Sequence, residues 1–413
     1  MVKVLARINI DEFYSEIKKA YESLKGVVYN TPIDFSNTFS RLSGGKVFLK
    51  LENLQKTGAF KVRGAYYKIR SLPKEKLAKG VIAASAGNHA QGVAYAASVS
   101  GVRAVIVMPE TTPASKVLAT KSYGAEVVLH GRIYDDAYRK AMEICEKEGL
   151  TFIHPFDDPK VIAGQGTIAI EIINSLPKFD VILVPVGGGG LISGISIAIR
   201  KVFGKNVRII GIEPEAAPKF KISLKHGKPV VVPSKPSLAD GLVTKKPGNL
   251  TFKIVNELVD EVVTVSEDEI ARAMFLLLER GKLLAEGAGA APLAALLSGK
   301  VDVKGKTVVA IVSGGNADLT TIYRVILRGL SLERRVIKLR AILKDVPGTL
   351  KEVLNIVASN RGNIVDIKHD RFSLKAGPGY AVVELIIELL NPEAKDTIIK
   401  EISKLGYRVE IIE

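Results

Sequence analysis

The stretch Val181-Ile-Leu-Val-Pro-Val-Gly187-Gly-Gly-Gly-Leu-Ile-Ser-Gly194 decides the fold class. A short apolar run is followed by four consecutive glycines, Gly187–Gly190, and then by a helical pattern. A continuous apolar run is typical of a strand that is buried on both faces of a parallel sheet. Glycines between such a strand and a helix leave the amides of the helix N-terminus open to an anion such as a phosphate. The stretch therefore predicts an α/β fold with an anion-binding loop.

Similar β-branched apolar runs recur along roughly the first 320 residues, and amphipathic helical patterns separate them. Strands are predicted at Val81–Ala84, Arg103–Met108, Glu126–His130, Val207–Ile212 and Thr307–Val312, and helices at Asp135–Glu148 and Ser266–Arg280. This alternation indicates parallel sheets covered by helices. The region is long for one sheet, so we expect two lobes with a cleft between them, the smaller at about 50–155.

The pattern changes near residue 328. We predict a catalytic region at 1–328, a short charged linker at 329–335 and a second domain at 336–413. The second domain has the order βαββαβ, with strands at Val336–Leu343, Asn363–Phe372, Tyr380–Leu389 and Tyr407–Ile412 and helices at Thr349–Asn360 and Pro392–Lys404. That order predicts a ferredoxin-like module. It contains no obvious nucleophile or acid–base pair, so we expect it to serve binding or oligomerisation.

Lys61 is the candidate nucleophile. It follows Thr57-Gly-Ala-Phe60, and a helical pattern begins around it. An amine beside an apolar residue at a helix N-terminus loses hydration and experiences the positive end of the helix dipole. Both effects lower its pKa. The alternative, an ordinary solvated surface lysine, stays open on this evidence.

Three further loops place small polar residues where α/β sheets bind ligands. Ser85–Gly92 follows a strand and opens a helix, Glu286–Pro292 opens another helix, and Ser313–Asn316 ends a strand. Each loop alone is compatible with an ordinary helix cap or turn. Together with Lys61 and the glycines they point to a phosphorylated cofactor that a lysine holds covalently, which is pyridoxal 5′-phosphate.

Other classes of protein fit less well. The glycine loop lacks the third glycine of a dinucleotide-binding motif, since Ile192 stands there. One cysteine, Cys145, excludes a disulfide framework, and five scattered histidines give no metal-ligand spacing. No apolar stretch is long enough for a membrane helix, and the N-terminus MVKVLARINIDEF lacks a signal-peptide core, so we expect a cytoplasmic protein with no membrane partner.

The net charge of +16 by itself favours a nucleic-acid binder. That reading predicts runs of basic residues with interleaved aromatics, but no five-residue basic run exists and aromatics are only 6%. We therefore expect no nucleic-acid partner. Almost all of the positive excess falls on residues 1–335, and we interpret most of it as solvated surface charge.

The chain resembles the threonine dehydratases, which are fold-type II pyridoxal-phosphate enzymes of the tryptophan-synthase-β-like group. The motifs that carry the resemblance occur in the same order and are Lys56–Ala65, Ser85–Gly92, Gly187–Leu191, Ser237–Gly241 and Ser313–Asn316. The resemblance covers about residues 15–325. The remaining 336–413 looks like an ACT domain, an amino-acid-sensing module.

The resemblance implies roles for individual residues. Lys61 would be the Schiff-base lysine, with Phe60 beside the ring and Asn88 on the ring's 3-oxygen. The cofactor phosphate would bind Gly187, Gly188, Gly189, Gly190 and Leu191. Ser313 would meet the pyridine nitrogen, and the loop Ser85, Ala86, Gly87, Asn88 and His89 would hold the substrate carboxylate.

The resemblance also implies the reaction, a β-elimination in which Lys61 removes the α-proton and the β-hydroxyl leaves. L-threonine would give 2-oxobutanoate and ammonia, and L-serine would give pyruvate. Ala86 stands where serine racemases carry a second base, which favours elimination. Some relatives bind a cation beside the residue matched by Glu213, but Lys219 replaces one expected carboxylate, so no metal is assigned.

The ACT-like module implies regulation. Effector amino acids in such domains bind near the first strand–helix turn and the next strand, usually across a domain pair. This maps to Asp345, Pro347 and Gly348 and to Asn363 and Ile364. We expect feedback by a branched-chain amino acid, isoleucine, in a homo-oligomer, a dimer or tetramer, that belongs to isoleucine biosynthesis. The alternatives are a serine dehydratase or a serine or aspartate racemase on the same scaffold, and a non-catalytic amino-acid sensor.

Overall fold

The computed structural model of the chain describes residues 8–412, so residues 1–7 and 413 of the predicted regions lie outside it. The chain forms two compact units that divide between Asp318 and Leu319. This division comes earlier than residue 328, where the sequence pattern changes. In the described part of the chain no helix is long and apolar enough to cross a membrane.

The first unit alternates strands and helices along most of its length. In chain order its elements are α1 (Ile10–Leu24), β1 (Ile33–Phe35), α2 (Asn37–Ser43), β2 (Lys46–Leu51), α3 (Lys61–Arg70), α4 (Lys74–Lys79), β3 (Val81–Ala84), α5 (Asn88–Val99), β4 (Ala104–Met108), α6 (Ala114–Ser122), β5 (Glu126–Leu129), α7 (Tyr134–Glu148), β6 (Thr151–Phe152), α8 (Pro159–Ser175), β7 (Val181–Pro185), α9 (Gly190–Phe203), β8 (Arg208–Pro214), α10 (Lys219–His226), α11 (Asn249–Leu258), β9 (Glu261–Val265), α12 (Glu267–Glu279), α13 (Gly287–Leu297) and β10 (Thr307–Val312). Short 3₁₀ turns lie at Glu52–Leu54 and Asp240–Leu242.

Two sheets organise this unit. The larger has the order β1-β2-β10-β7-β8-β9, in which only β1 is antiparallel to its neighbour. The smaller has the order β5-β4-β3-β6 and is wholly parallel. All six predicted strands are present, β3 and β10 with the predicted bounds. The prediction of two α/β lobes is confirmed, and the smaller sheet falls within 50–155.

Strand β7 shows why an apolar run without alternating polar residues correctly predicts a strand of a parallel sheet. All five residues of Val181–Pro185 are buried, because β10 and β8 pair with the strand on either side and helices α9 and α13 pack against it. The following helix, α9, is buried from Gly190 to Arg200. The four glycines follow the carboxyl end of β7 and therefore lie near the middle of the larger sheet.

The second unit contains α14 (Leu319–Leu332), β11 (Val336–Lys344), α15 (Thr349–Ser359), β12 (Gly362–Asp370), β13 (Tyr380–Leu389), α16 (Ala394–Lys404) and β14 (Arg408–Ile411). Its antiparallel sheet has the order β12-β13-β11-β14. Burial alternates along β11, because one face packs on the helices. The predicted βαββαβ order is confirmed. Residues 329–332 of the predicted linker belong to α14, so only 333–335 separate this helix from the sheet.

Candidate active site

One cavity of about 690 Å³ brings the predicted site residues together. Loops at the carboxyl ends of β3, β7 and β10 and the start of α3 line it. The lining includes all of the predicted cofactor and substrate residues, Phe60, Lys61, Ser85, Ala86, Gly87, Asn88, His89, Gly187, Gly188, Gly189, Gly190, Leu191 and Ser313. Four segments that are distant in sequence thus form one site.

Lys61 is held at the start of α3 by contacts from the end of β10. The backbone N–H of Phe60 donates to the carbonyl of Ser313 at 3.1 Å, and Gly315 N–H donates to the carbonyl of Gly58 at 2.8 Å. Ala59 also forms an isolated antiparallel bridge with Gly314. Gly58 has a φ of +69°, a conformation that favours glycine. The turn before the lysine is therefore fixed to the larger sheet.

The Lys61 amine is chemically unusual for a lysine. Its Nζ donates to the carbonyl of Pro155 at 2.8 Å and lies 5.2 Å from the centre of the Phe60 ring. Burial lowers the pKa of Lys61 to about 8, although the nearby carboxylate of Glu286 opposes this shift. A substantial share of the amine is then neutral close to physiological pH. A neutral amine can act as a nucleophile or a base.

The glycine loop forms a cradle at the N-terminus of α9. Gly189 has a φ of +99°, and the first helical hydrogen bond runs from Ser193 N–H to its carbonyl at 3.0 Å. The amides of Gly190 and Leu191 lie before that bond, where a helix binds anions. A Cβ on Gly188 would lie 2.2 Å from the Phe156 ring, so close packing also requires glycine there. This cradle and the Lys61 amine fit a phosphate and an aldehyde of one cofactor, pyridoxal 5′-phosphate.

Asn88 belongs to a polar chain that crosses the site. Its Nδ2 donates to Glu286 Oε1 at 2.7 Å, and its Oδ1 accepts from Asn316 Nδ2 at 2.8 Å. Asn316 Nδ2 also donates to the carbonyl of Thr57 at 2.7 Å. Burial, with Asp240 as a lesser cause, raises the pKa of Glu286 to about 7. The chain fixes the Asn88 amide and places a carboxyl group that titrates near neutrality beside it.

The loop between β3 and α5 offers backbone groups more than side chains. Gly87 N–H donates to Ser85 Oγ at 3.2 Å. The His89 ring is buried and its Nε2 lies 2.8 Å from the carbonyl of Ile153. Burial, helped by the positive charge of Lys61, lowers the pKa of His89 to about 3, so this ring is neutral. Asn88 and His89, the first residues of α5, line the cavity, and the amides of a helix N-terminus fit a carboxylate.

Several lining residues were not predicted. Pro155 and Glu286 contact the key side chains directly, and Phe156 packs against the glycine loop. Glu286 had a sequence signal, since it opens the glycine-rich helical stretch Glu286–Pro292. Pro155 contributes a backbone carbonyl, for which a sequence carries no signal.

Two ion pairs join the lobes at the mouth of the cavity. Lys116 Nζ of α6 lies 3.3 Å from Asp240 Oδ2, and Lys245 Nζ lies 2.9 Å from Asp135 Oδ2 of α7. Lys116 and Asp135 come from the smaller lobe, and their partners come from a segment of the larger lobe. These exposed pairs connect the segment before α11 with the smaller lobe.

Among residues 8–412, no three or more His, Cys, Asp or Glu side chains are grouped so as to hold a metal ion. Lys219 Nζ lies 2.9 Å from Glu213 Oε1.

Within the single chain, the structure does not bring the predicted effector residues together. Asp345 follows β11, whereas Asn363 lies at the start of β12 and is aligned through Glu388 with Val336, at the other end of β11. Nine residues at about 3.3 Å each separate Asp345 from the level of Asn363, a distance of about 30 Å. Pro347 and Gly348 share the turn with Asp345, and Ile364 adjoins Asn363. One effector site made from both groups therefore requires two copies of the unit.

Comparison with known proteins agrees with this geometry. A family model described as "Pyridoxal-phosphate dependent enzyme" matches residues 24–314. An L-threonine ammonia-lyase of Geobacter sulfurreducens is 50% identical over 400 residues, covering 97% of this chain and 99% of that protein. An L-threonine ammonia-lyase of Thermotoga maritima is 48% identical over 397 residues, covering 96% of this chain and 98% of that protein.

Two solved structures show the same likeness in three dimensions. The processed form of threonine deaminase isoform 2 from Solanum lycopersicum has a TM-score of 0.75 and 37% identity, and covers 79% of this chain and 96% of that one. A maize serine racemase has a TM-score of 0.72 and 36% identity, and covers 77% of this chain and 98% of that one.

Proposed function

The chain belongs to the pyridoxal-phosphate dependent enzymes, among the L-threonine ammonia-lyases, and we propose that Lys61 is the base that starts the conversion of L-threonine to 2-oxobutanoate and ammonia. The observation that carries this role is the position of the Lys61 amine, which is half-buried, has a lowered pKa and lies in one cavity with the glycine cradle.

The proposed cofactor contacts divide the ring and its phosphate among separate elements. Gly187–Gly190 and Leu191 hold the phosphate at the N-terminus of α9, while Ser313 meets the pyridine nitrogen and Phe60 lies beside the ring. Asn88 holds the 3-oxygen. Bound pyridoxal 5′-phosphate supplies an electron sink that acidifies the α-carbon of an amino acid. Ser313 is no carboxylate, so it leaves the pyridine nitrogen without a strong proton donor, which suits elimination.

Lys61 Nζ takes the α-proton in this scheme. The carbonyl of Pro155 orients the amine, and burial keeps it available as a base near pH 8. The first amides of α5, from Gly87 to His89, hold the substrate carboxylate and so aim the α-carbon at Lys61.

Racemisation of serine is the second candidate, because the maize serine racemase shares this scaffold. A racemase needs a proton donor on each side of the α-carbon. Ala86 lies in the substrate loop and offers none. We therefore expect L-serine to give pyruvate, with no D-serine. Chiral chromatography of the products checks this, and D-serine at the rate of pyruvate would favour the racemase.

The activity test compares two lysines of one motif. Purified enzyme with pyridoxal 5′-phosphate should release 2-oxobutanoate from L-threonine, and K61A should lose more than about a thousandfold in kcat. Lys56 stacks on the Tyr29 ring at 4.6 Å and does not line the cavity, so K56A serves as the matched control with near-normal kcat. A K61A enzyme that keeps wild-type turnover would overturn the proposal.

The second unit is proposed to bind isoleucine as a feedback effector, with Asp345, Pro347 and Gly348 of one copy facing Asn363 and Ile364 of another. Their separation within one chain supports a homo-oligomer, a dimer or tetramer, as the regulated form. Isothermal titration with isoleucine, activity assays with and without it, and light scattering test this. A monomer, or a protein that neither binds isoleucine nor responds to it, would contradict the proposal. A place in isoleucine biosynthesis rests on the same result.

A further inference from the structure

Lys219 is a fully buried lysine that the proposed reaction does not use. Its Nζ lies 2.9 Å from Glu213 Oε1, 3.0 Å from the carbonyl of Val186 and 3.4 Å from the carbonyl of Ala217. Glu213 is fully buried as well. A buried ion pair often contributes little to stability compared with apolar residues of similar size. Its presence at this position calls for another explanation.

The arrangement of acceptors indicates that Lys219 carries its charge. Three oxygen atoms surround Nζ, and only the protonated ammonium has three N–H donors to match them. Burial lowers the pKa of Lys219, while the Glu213 carboxylate opposes that shift. One carboxylate and two carbonyl oxygens are also the ligands that hard cations prefer. The ammonium thus occupies a cation-type shell of oxygens.

This shell lies directly behind the phosphate cradle. Val186, whose carbonyl accepts from Lys219, is the residue before Gly187. Glu213 also accepts from the backbone N–H of Phe220 at 2.9 Å and of Lys221 at 3.0 Å. The Phe220 ring packs against Gly189 so closely that a Cβ there would lie 2.6 Å from its Cζ. One ion pair therefore fixes both the entry to the loop and the ring beneath it.

We propose that Lys219 is a positioning residue whose tethered ammonium serves as a built-in cation, holding the glycine loop in its phosphate-binding shape so that cofactor binding needs no free cation. The proposal rests on the assignment of Gly187–Gly190 to the phosphate under the proposed function. It concerns the affinity for the cofactor, which can be measured on cofactor-depleted protein without turnover.

The first measurement uses the wild-type chain. Cofactor-depleted protein is titrated with pyridoxal 5′-phosphate in tetramethylammonium buffer with a chelator, then with K⁺, NH₄⁺ or Mg²⁺ added. We expect the same Kd in every buffer. A Kd that falls tenfold or more when a small cation is added would overturn the inference. A tenfold change in Kd corresponds to about 1.4 kcal/mol, which is the scale of one hydrogen bond to a charged group. Wild-type protein that binds no cofactor would overturn the proposed function instead.

The second measurement uses K219A, which leaves the oxygens in place and empties the space of the ammonium. We expect the Kd for the cofactor to rise by about tenfold or more in tetramethylammonium and to recover in part with K⁺ or NH₄⁺. A wild-type Kd would contradict the inference. So would a folded K219A whose weakened binding no cation restores.

The control is K50A. Lys50 is equally buried and pairs with Glu171 at 2.5 Å, but it does not line the cavity. Its loss should lower the melting temperature without making cofactor affinity depend on K⁺. A K⁺ response in K50A equal to that of K219A would contradict the local role of Lys219.

If K219A fails to fold, the double variant E213Q–K219M removes both charges. It should fold, bind the cofactor about tenfold or more weakly, and show no response to K⁺ because the carboxylate is gone. Wild-type affinity in this variant would overturn the inference.

Discussion

The Asn88 amide donates to the Glu286 carboxylate at 2.7 Å across 198 positions of sequence. Glu286 also raises the pKa of Lys61, which burial lowers to about 8. The residue proposed to hold the ring's 3-oxygen and the proposed base are thus coupled through one buried carboxyl group. Three side chains from α5, α3 and the start of α13 act as one electrostatic unit.

This coupling predicts the pH dependence of covalent cofactor capture. Lys61 must be neutral to attack the aldehyde, so the capture rate of cofactor-depleted protein should rise with pH to a midpoint near 8. E286Q removes the charge that favours the ammonium and should move the midpoint down by about one unit. Stopped-flow absorbance measures the rates, with exposed E143Q as control. An unchanged midpoint in E286Q would show that the two groups are not coupled.

Lys61 should also lower the free energy of unfolding of the protein before the cofactor binds. Its pKa is about 8 in the folded protein and near 10.5 when unfolded, so the unfolded chain binds more protons between these values. Stability therefore rises with pH from about 8 to 10.5. K61M should raise the free energy of unfolding by about 3 kcal/mol at pH 7 and by much less at pH 10. Urea titrations of cofactor-depleted protein test this, and K68M, on the same helix, is the control. Equal gains of K61M at both pH values would refute the explanation.

Substitution of Gly188 by alanine should create a steric clash that a second substitution relieves. The Cβ in G188A would lie 2.2 Å from the Phe156 ring, and overpacking of this kind costs about 1–3 kcal/mol. The cofactor Kd should rise as the loop is displaced. Adding F156A should restore part of the affinity, because the clash disappears. G377A, where a Cβ meets open space, should change neither the Kd nor the melting temperature. Normal cofactor binding by G188A would show that the cradle does not need its close packing.

Substitution of Arg63, two residues after the proposed catalytic lysine, should cause a large loss of stability. Its buried guanidinium binds Glu52 at 2.7 Å and Glu171 at 2.6 Å. R63A leaves these buried carboxylates without that partner and should cost about 3–5 kcal/mol. Arg103 also pairs with two carboxylates, Glu126 and Glu148, but at the surface, so R103A should cost about 1 kcal/mol or less. Similar losses in the two variants, measured by urea unfolding, would contradict the argument from burial.

The strands could be predicted from the sequence because the parallel sheets are buried on both faces. Val81–Ala84 and Thr307–Val312 are wholly apolar apart from Thr307, and the glycines and polar residues after them give clear ends. The end of α14 was harder to predict. Gly329 resembles a helix stop, but it lies buried within the helix.

The site could be predicted only as far as each loop carried its own signal. The glycine loop and the segment around Lys61 are local patterns, so their residues were found. The Pro155 carbonyl meets Lys61 only after the chain has folded. Likewise, sheet register alone reveals that Asp345 and Asn363 lie at opposite ends of their sheet.

The central claim is that Lys61 alone binds the cofactor covalently. The direct measurement is borohydride reduction of the enzyme with pyridoxal 5′-phosphate, followed by peptide mass mapping of the wild type and K61A. The account predicts one modified peptide in the wild type, with the added mass on Lys61, and none in K61A. A reduced cofactor on a different lysine in the wild type, or equal labelling of K61A, would contradict it.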